Sequence, residues 1–285
     1  MNLIVGFVLV LGSVGGGFIL SKGSLGALWQ PFELLIILGA AFGAFVTANP
    51  VKVLKAVGRQ LGTLVKGSKY KKELFLDALA LLHDLAAKAR KEGFLAIEAD
   101  VDEPEASEVF KKYPKILSDH HAIEFTTDYL RMLVSGNMNT MELETLMDVE
   151  LDTHHHEVAV PAAALRTVAD GLPGFGIVAA VLGIVIAMAS LGGPPEEIGH
   201  HVAAALVGTF LGILLAYGFV APAATFLEHV ADDESQFYRC LKTGLLACLQ
   251  GYSPKVVAEF ARKTIASAER PTFLELEERV KARAA

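Results

Sequence analysis

The sequence predicts an all-α polytopic membrane protein with four transmembrane helices and a helical cytoplasmic module, and three observations carry that prediction. Of 285 residues, 53% are hydrophobic and the mean hydropathy is +0.44, more apolar than a water-soluble domain. Charge is concentrated, because four windows hold almost none of it: Leu3–Leu20, Phe32–Ala48, Leu172–Leu191 and Val202–Ala221. The remaining segments show a helical period and no β-rich stretch.

Each window is long enough to cross a hydrocarbon core of about 30 Å at about 1.5 Å per residue. The first has no basic n-region and no convincing small-residue cleavage site, so it reads as a retained span and not a signal peptide. The second is the shortest and has Glu33 at its edge, so it needs tilt or local thinning of the bilayer. Trp29, beside Pro31, is placed as an anchor at the outer interface. The segments Ser21–Pro31 and Gly192–His201 hold one Lys, and the other 24 of the 25 Lys and Arg fall in Asn49–Gly171 and Pro222–Ala285. Both termini and both large segments are therefore expected on the cytoplasmic side. The expected division is a membrane hairpin over 1–48, a cytoplasmic helical domain over 49–171, a second hairpin over 172–222 and a cytoplasmic helical tail over 223–285.

Within the insert, "ELFLDALALLHDLAAKARKEG" spaces Leu74, Leu76, Leu79, Leu82 and Leu85 as one helix that stops at Gly93. "SDHHAIEFTTDYLRMLVSG" repeats the arrangement, with Ser118 or Asp119 as N-cap and Gly136 at its end. "NTMELETLMDVELDTHHHEV" opens at Asn139 or Thr140, with Glu142 and Glu144 favouring its dipole. Its pattern runs through Pro161 towards Leu172, so the third span reads as the upper half of one long broken helix. In the tail, Pro254 and Pro271 each look like a first-turn proline.

Several function classes fall away. A net charge of −7 with no basic stripe argues against nucleic acid. Cys240 and Cys248 lack a C-x-x-C spacing. The histidine runs His120–His121, His154–His155–His156 and His200–His201 match no ligand spacing, so no metal or other cofactor is expected and the histidines read as polar helix surface. No nucleophile or acid–base constellation points to an enzyme.

What remains lies in the membrane and at its cytoplasmic edge. Gly176, Ala180, Gly183, Ala187 and Ser190 follow spacings of four and three, which puts small residues on one face of the third span. Ala205, Thr209, Gly212, Ala216 and Ala223 make a comparable stripe on the fourth. Close helix packing explains such stripes as well as an ion path or a partner helix does. A proton relay normally needs ionisable groups at depth, and the cores of the four windows hold none, so a conducting path needs a partner. Pro173 and Pro222 stand at the cytoplasmic ends of spans three and four, as ordinary kinks or as hinges. In "KARKEGFLAIEAD", Arg90 and Lys91 face Glu98 and Asp100 across a Gly stop, either a solvated surface or a charged contact.

The order of hairpin, insert, hairpin and tail, with "RKEGFLAIE", "DGLPGFGIVAAVLGIV" and "GTFLGILLAYGFVAP", resembles the MotA family of bacterial flagellar stator subunits, in the wider MotA/TolQ/ExbB proton channel family. The resemblance implies a stator in the bacterial inner membrane. Several copies, a pentamer in the family, surround a dimer of a MotB-like single-span subunit whose transmembrane Asp binds the ion, and ion flow drives the cytoplasmic domain against the rotor protein FliG. It further implies that Arg90 and Glu98 are rotor contacts, that Pro173 and Pro222 couple, and that Thr209 lines the path with Ala180, Gly176, Gly183 and Ala187. Sodium-type relatives usually carry a hydroxyl at the position of Ala180, which favours protons here. The alternatives are an ExbB/TolQ-like energiser of an outer-membrane system, whose pattern has three spans, and a non-conducting membrane scaffold.

Overall fold

The computed structural model describes residues 2–135 and 139–284. Its helices are α1 (Asn2–Leu20), α2 (Leu25–Leu28), α3 (Pro31–Ala48), α4 (Val51–Lys66), α5 (Lys72–Glu92), α6 (Glu98–Asp102), α7 (Glu108–Lys111), α8 (Pro114–Leu117), α9 (His120–Ser135), α10 (Thr140–Ala189), α11 (Pro195–Leu215), α12 (Ala221–Leu249), α13 (Pro254–Thr264) and α14 (Phe273–Ala284). A 3-10 turn occupies Phe94–Ile97 and a turn of π-helix occupies Ala216–Val220. There is no strand among the described residues, so the fold is all-α. Four helical stretches, Leu3–Leu20, Leu25–Ala48, Thr140–Ala189 and Pro195–Leu249, contain a segment long and apolar enough to cross a membrane.

Packing separates two compact units, Met1–Gly67 with Val158–His229 and Ser68–Glu157 with Val230–Ala285. In the first, α3, α10 and the π turn that follows α11 share a small core of Ile37, Ala41, Leu172, Ala179 and Ala216. Phe7 on α1 meets Phe219 in the π turn with ring centroids 5.0 Å apart. Outward, Leu9, Phe32, Leu35, Ile177, Val185 and Leu206 are exposed, a surface suited to hydrocarbon and not to water. α3 closes with Asn49 Nδ2 donating to Phe45 O at 2.8 Å, and Pro50 then starts α4.

In the second unit α5 is the buried axis. Leu74, Phe75, Leu79, Leu81, Leu82 and Leu85 are all enclosed, and the helix ends, as its sequence indicates, at Gly93 with φ of +87°. α10 opens with a reciprocal cap, Glu142 N donating to Asn139 Oδ1 at 2.9 Å and Asn139 N to Glu142 Oε2 at 3.2 Å.

Other boundaries differ from the sequence expectation. α10 is one continuous helix through Pro161 and Pro173. α11 begins at Pro195, inside the segment expected as an external loop, because Pro195 at the first position followed by Glu196 and Glu197 is a strong helix start. Pro254 does open α13. Pro271 does not open α14: Thr272 caps that helix with Glu275, and the Pro271 carbonyl accepts from Arg262 Nη1 at 2.9 Å. Asp119 gives its carboxylate to Lys69 Nζ at 2.7 Å, and Gly136, expected to end α9, lies outside the described residues.

Between α9, α10 and α12 the core carries polar groups. The His121 and His154 rings lie 4.3 Å apart, and His154 Nε2 is 3.2 Å from Glu234 Oε1. Burial pushes the Glu234 carboxyl up, but the hydrogen bond with His154 and the charges of His154 and Lys69 outweigh it and hold the group below the usual glutamate range. The unfolded chain therefore takes up this proton first as pH falls. The stabilisation is complete above the ordinary glutamate pKa and is lost as pH falls through the lowered folded value. Glu234→Gln is expected to destabilise this unit by about 1–3 kcal/mol at neutral pH, with the gap closing in acid. Thermal melts of the full chain in detergent at pH 7 and pH 4 check this, and a gap independent of pH contradicts it.

Candidate functional site

The small faces of α10 and α11 meet each other. A Cβ on Gly212 would lie 2.8 Å from both Gly176 Cα and the Leu172 carbonyl oxygen, and one on Gly176 would lie 3.0 Å from Gly208 O and Gly212 Cα. About two turns further along α10, a Cβ on Gly183 would meet Ala205 Cβ at 2.9 Å. Without a hydrophobic drive between helices in lipid, this backbone proximity is the source of their association. Gly176, Gly183 and Ala187 are thus buried or in close contact within the chain itself. The opposite face of α10, with Ile177, Val181, Val185 and Met188, is exposed.

Ala180 and Thr209 stand at the margin of this contact, each half-buried. The structure brings them to one level, since the Cβ position of Gly208, next to Thr209, is 3.4 Å from Ala180 N. Glu33 joins them. Its Cγ is 3.5 Å from the same Gly208 position, and its Oε2 is buried with no hydrogen-bond partner. Glu33 lies in the first turn of α3, at the edge of the span as its sequence position indicates, and folding sets that turn against α11.

Pro173 lies within α10, and the neighbouring Gly174 has open space around its Cβ position. Pro222 follows the π turn, in which Ala221 N–H reaches Ala216 O, five residues back. Proline cannot donate to the preceding turn and its ring crowds that carbonyl, and one wider turn relieves the conflict without ending the helix. The sequence showed the proline but not this response.

At the end of α5, Arg90 and Glu98 are exposed, and neither is held by an ion pair among the described residues. They flank the Gly93 reversal and the 3-10 turn, whose Leu95 is exposed as well. Asp100 does not share this surface. It is buried, accepting from Lys88 Nζ at 2.6 Å and Ser107 Oγ at 2.7 Å, and so clamps the turn that presents Glu98. Within the triple histidine run, His155 Nδ1 lies 2.7 Å from Ser235 Oγ. Burial pushes the Cys240 thiol up to about 12 and Cys248 to about 11, which leaves them unreactive. Among the described residues no three His, Cys, Asp or Glu gather as a metal site.

Comparison with known proteins matches residues 4–93 to the family described as Motility protein A N-terminal and residues 118–239 to the MotA/TolQ/ExbB proton channel family. The chain is 49% identical over 282 residues to Motility protein A of Salmonella typhimurium, covering 99% of this chain and 96% of that one. It is 37% identical to Chemotaxis protein LafT of Vibrio parahaemolyticus, covering 97% of each. It superposes on a chain of the flagellar MotAB stator complex from Bacillus subtilis with a TM-score of 0.73 at 27% identity, covering 90% of this chain and 92% of that one. A chain of C. jejuni MotAB gives a TM-score of 0.79 at 22% identity, covering 95% and 98%, a likeness of fold.

The α10–α11 contact makes a stability prediction. Gly212→Ala forces a methyl against backbone atoms that cannot rotate away, and is expected to cost about 1–3 kcal/mol, read as a lower melting temperature in detergent. Gly174→Ala, which meets nothing within 4 Å, serves as the control and should not destabilise. Equal melting of Gly212→Ala and the parent would remove the close contact from the account.

Proposed function

We propose that this chain, which belongs to the Motility protein A family within the MotA/TolQ/ExbB proton channel family, is the membrane subunit of a flagellar motor stator and forms a proton channel with a MotB partner. One observation carries the reading beyond family membership. Leu172–Leu191 and Val202–Ala221 hold no Asp, Glu, His, Lys or Arg, while Ala180 and Thr209 stay half-buried at the margin of the α10–α11 contact. Glu33 is a single carboxylate beside them, and a relay through the membrane needs a succession of groups. The missing ionisable group belongs to the partner's transmembrane Asp.

The partner helix docks along the Ala180 and Thr209 margin, with Gly176, Gly183 and Ala187 holding the pair that forms the wall. Several copies of the chain, five by family resemblance, surround a partner dimer in the bacterial inner membrane. The hairpins 1–48 and 172–222 lie in the membrane, and 49–171 and 223–285, with both termini, are cytoplasmic, which the distribution of Lys and Arg supports. Pro173 and Pro222 provide two helix orientations close in energy, so that ion binding biases the cytoplasmic part. Arg90 and Glu98, exposed and without an ion pair among the described residues, meet the charged face of FliG.

In proteoliposomes, the chain alone is expected to pass no more protons than empty vesicles, and co-reconstitution with a MotB-like chain is expected to raise the flux. Motor speed should respond to a protonophore and ignore external sodium at constant proton-motive force, because Ala180 offers no oxygen to replace sodium's lost water. Flux without a partner, or rotation that tracks sodium, contradicts the respective part of the proposal.

Arg90→Glu and Glu98→Lys are expected to lower swimming speed in cells while membrane insertion and partner binding stay unchanged. A compensating reversal on FliG should rescue at least part of it. Normal swimming by both variants would return these residues to an ordinary solvated surface.

A further inference from the structure

We infer that α4 is a docking surface for anionic lipid headgroups at the cytoplasmic face of the membrane, an inference that rests on the orientation proposed above. α4 carries Lys52, Lys55, Arg59 and Lys66 and no acidic residue. At about 100° per residue all four fall within a sector of about 60°. Each is exposed. Lys69, Lys72, Lys88 and Lys242 in the same chain each reach a carboxylate, whereas none of these four has an ion pair or hydrogen bond among the described residues.

The rest of the helix surface divides in two. Val53 and Val57 are buried with Ala164 of α10, and Phe45 and Leu165 pack against them. This contact fixes one flank. Between that contact and the basic strip, Val51, Leu61 and Val65 form an apolar strip that is 64%, 50% and 66% exposed. Four charges in sixteen residues bar the helix from the hydrocarbon, and the uncovered aliphatic strip is unfavourable in water. An apolar strip bordered by cations is the pattern of a helix lying in the headgroup region.

The chain places it there. α3, read as a span, ends at Ala48, and α4 begins at Val51 after the Asn49–Pro50 turn. The occupant follows from charge. A second copy meeting it across a two-fold axis would set an identical basic strip against this one with no acid to offset it, and would be repelled. An anionic leaflet attracts it, each basic residue near the surface contributing about fivefold to the partition. Docked in this way, α4 fastens the end of α3 and, through Val53 and Val57, steadies α10 at Ala164 on the cytoplasmic side of Pro173.

The test uses the full chain with its MotB-like partner in phosphatidylcholine nanodiscs with and without phosphatidylglycerol. A bimane dye on Val65→Cys reports which lipid is adjacent, and the native Cys240 and Cys248 are buried and do not compete for it. Quenching by headgroup-spin-labelled phosphatidylglycerol is expected to exceed quenching by labelled phosphatidylcholine by about fivefold or more. The preference should fall to parity in the variant Lys52→Gln, Lys55→Gln, Arg59→Gln, Lys66→Gln. It should persist when the three lysines are changed to Arg, which keeps the charge and shows that substitution itself does no harm. Parity in the parent, an undiminished preference in the Gln variant, or a dye shielded from both lipids by a second copy of the chain overturns the inference. Proton flux measured on the same complex separates the outcomes: intact lipid preference without flux fails the channel reading alone.

Discussion

The membrane unit depends on backbone proximity between α10 and α11. In hydrocarbon an apolar side chain gains little by leaving lipid for another helix, so association must come from contact surface. A Cβ at Gly212 would sit 2.8 Å from Gly176 Cα, so even a methyl group would hold the helices apart. Once the two lie this close, much else is determined. Ala180 comes to the level of Thr209, α3 finds room to press Ile37 and Ala41 into the shared core, and Glu33 is carried against Gly208. The larger aliphatic residues of α10 are left facing outward. Small residues that look like a channel lining in one dimension thus serve first as the glue that builds the wall, and only its margin is available to a path.

Helices held by such contacts cannot tolerate a loose backbone, which explains how the two prolines are accommodated. Each removes a donor in a medium that offers no water to replace it. α10 nevertheless continues through Pro161 and Pro173, and the run from α11 to α12 absorbs Pro222 with one π turn. The backbone stays helical on either side of each proline, while a proline leaves the local geometry less strictly determined than in a regular helix. A site of that kind suits a joint between two orientations, since small energy differences then decide between them.

What was legible in the sequence follows from the range of the interaction concerned. The apolar segments, the end of α5 at Gly93 and the start of α10 at Asn139 or Thr140 depend on hydropathy or on neighbours a few residues away. Features that depend on distant partners were not legible. Asp100 looks like a surface acid beside Glu98 until folding brings Lys88 and Ser107 to it, and Pro271 looks like a helix start until Arg262 claims its carbonyl. The candidate site divides along the same line. Exposure of Arg90 and Glu98 followed from a glycine reversal after an amphipathic helix, but the pairing of the two small stripes with each other needed the third dimension. The periodicity of one stripe says that it will be close to something, not to what.

The two units answer opposite solvent problems with different chemistry. In the second unit the core tolerates carboxylates and histidines because each finds a partner, Tyr129 OH donating to Glu150 Oε2 at 2.5 Å and Arg279 Nη1 to Asp77 Oδ1 at 3.0 Å. In the first, ionisable groups are costly at depth: spans three and four carry none, and Glu33 of α3 is the exception, its Oε2 buried and unpartnered among the described residues. A membrane wall stable enough to assemble is thereby chemically inert towards protons, and reactivity has to arrive on a second chain. The absence of Asp, Glu, His, Lys and Arg from spans three and four follows directly from the cost of charge in hydrocarbon.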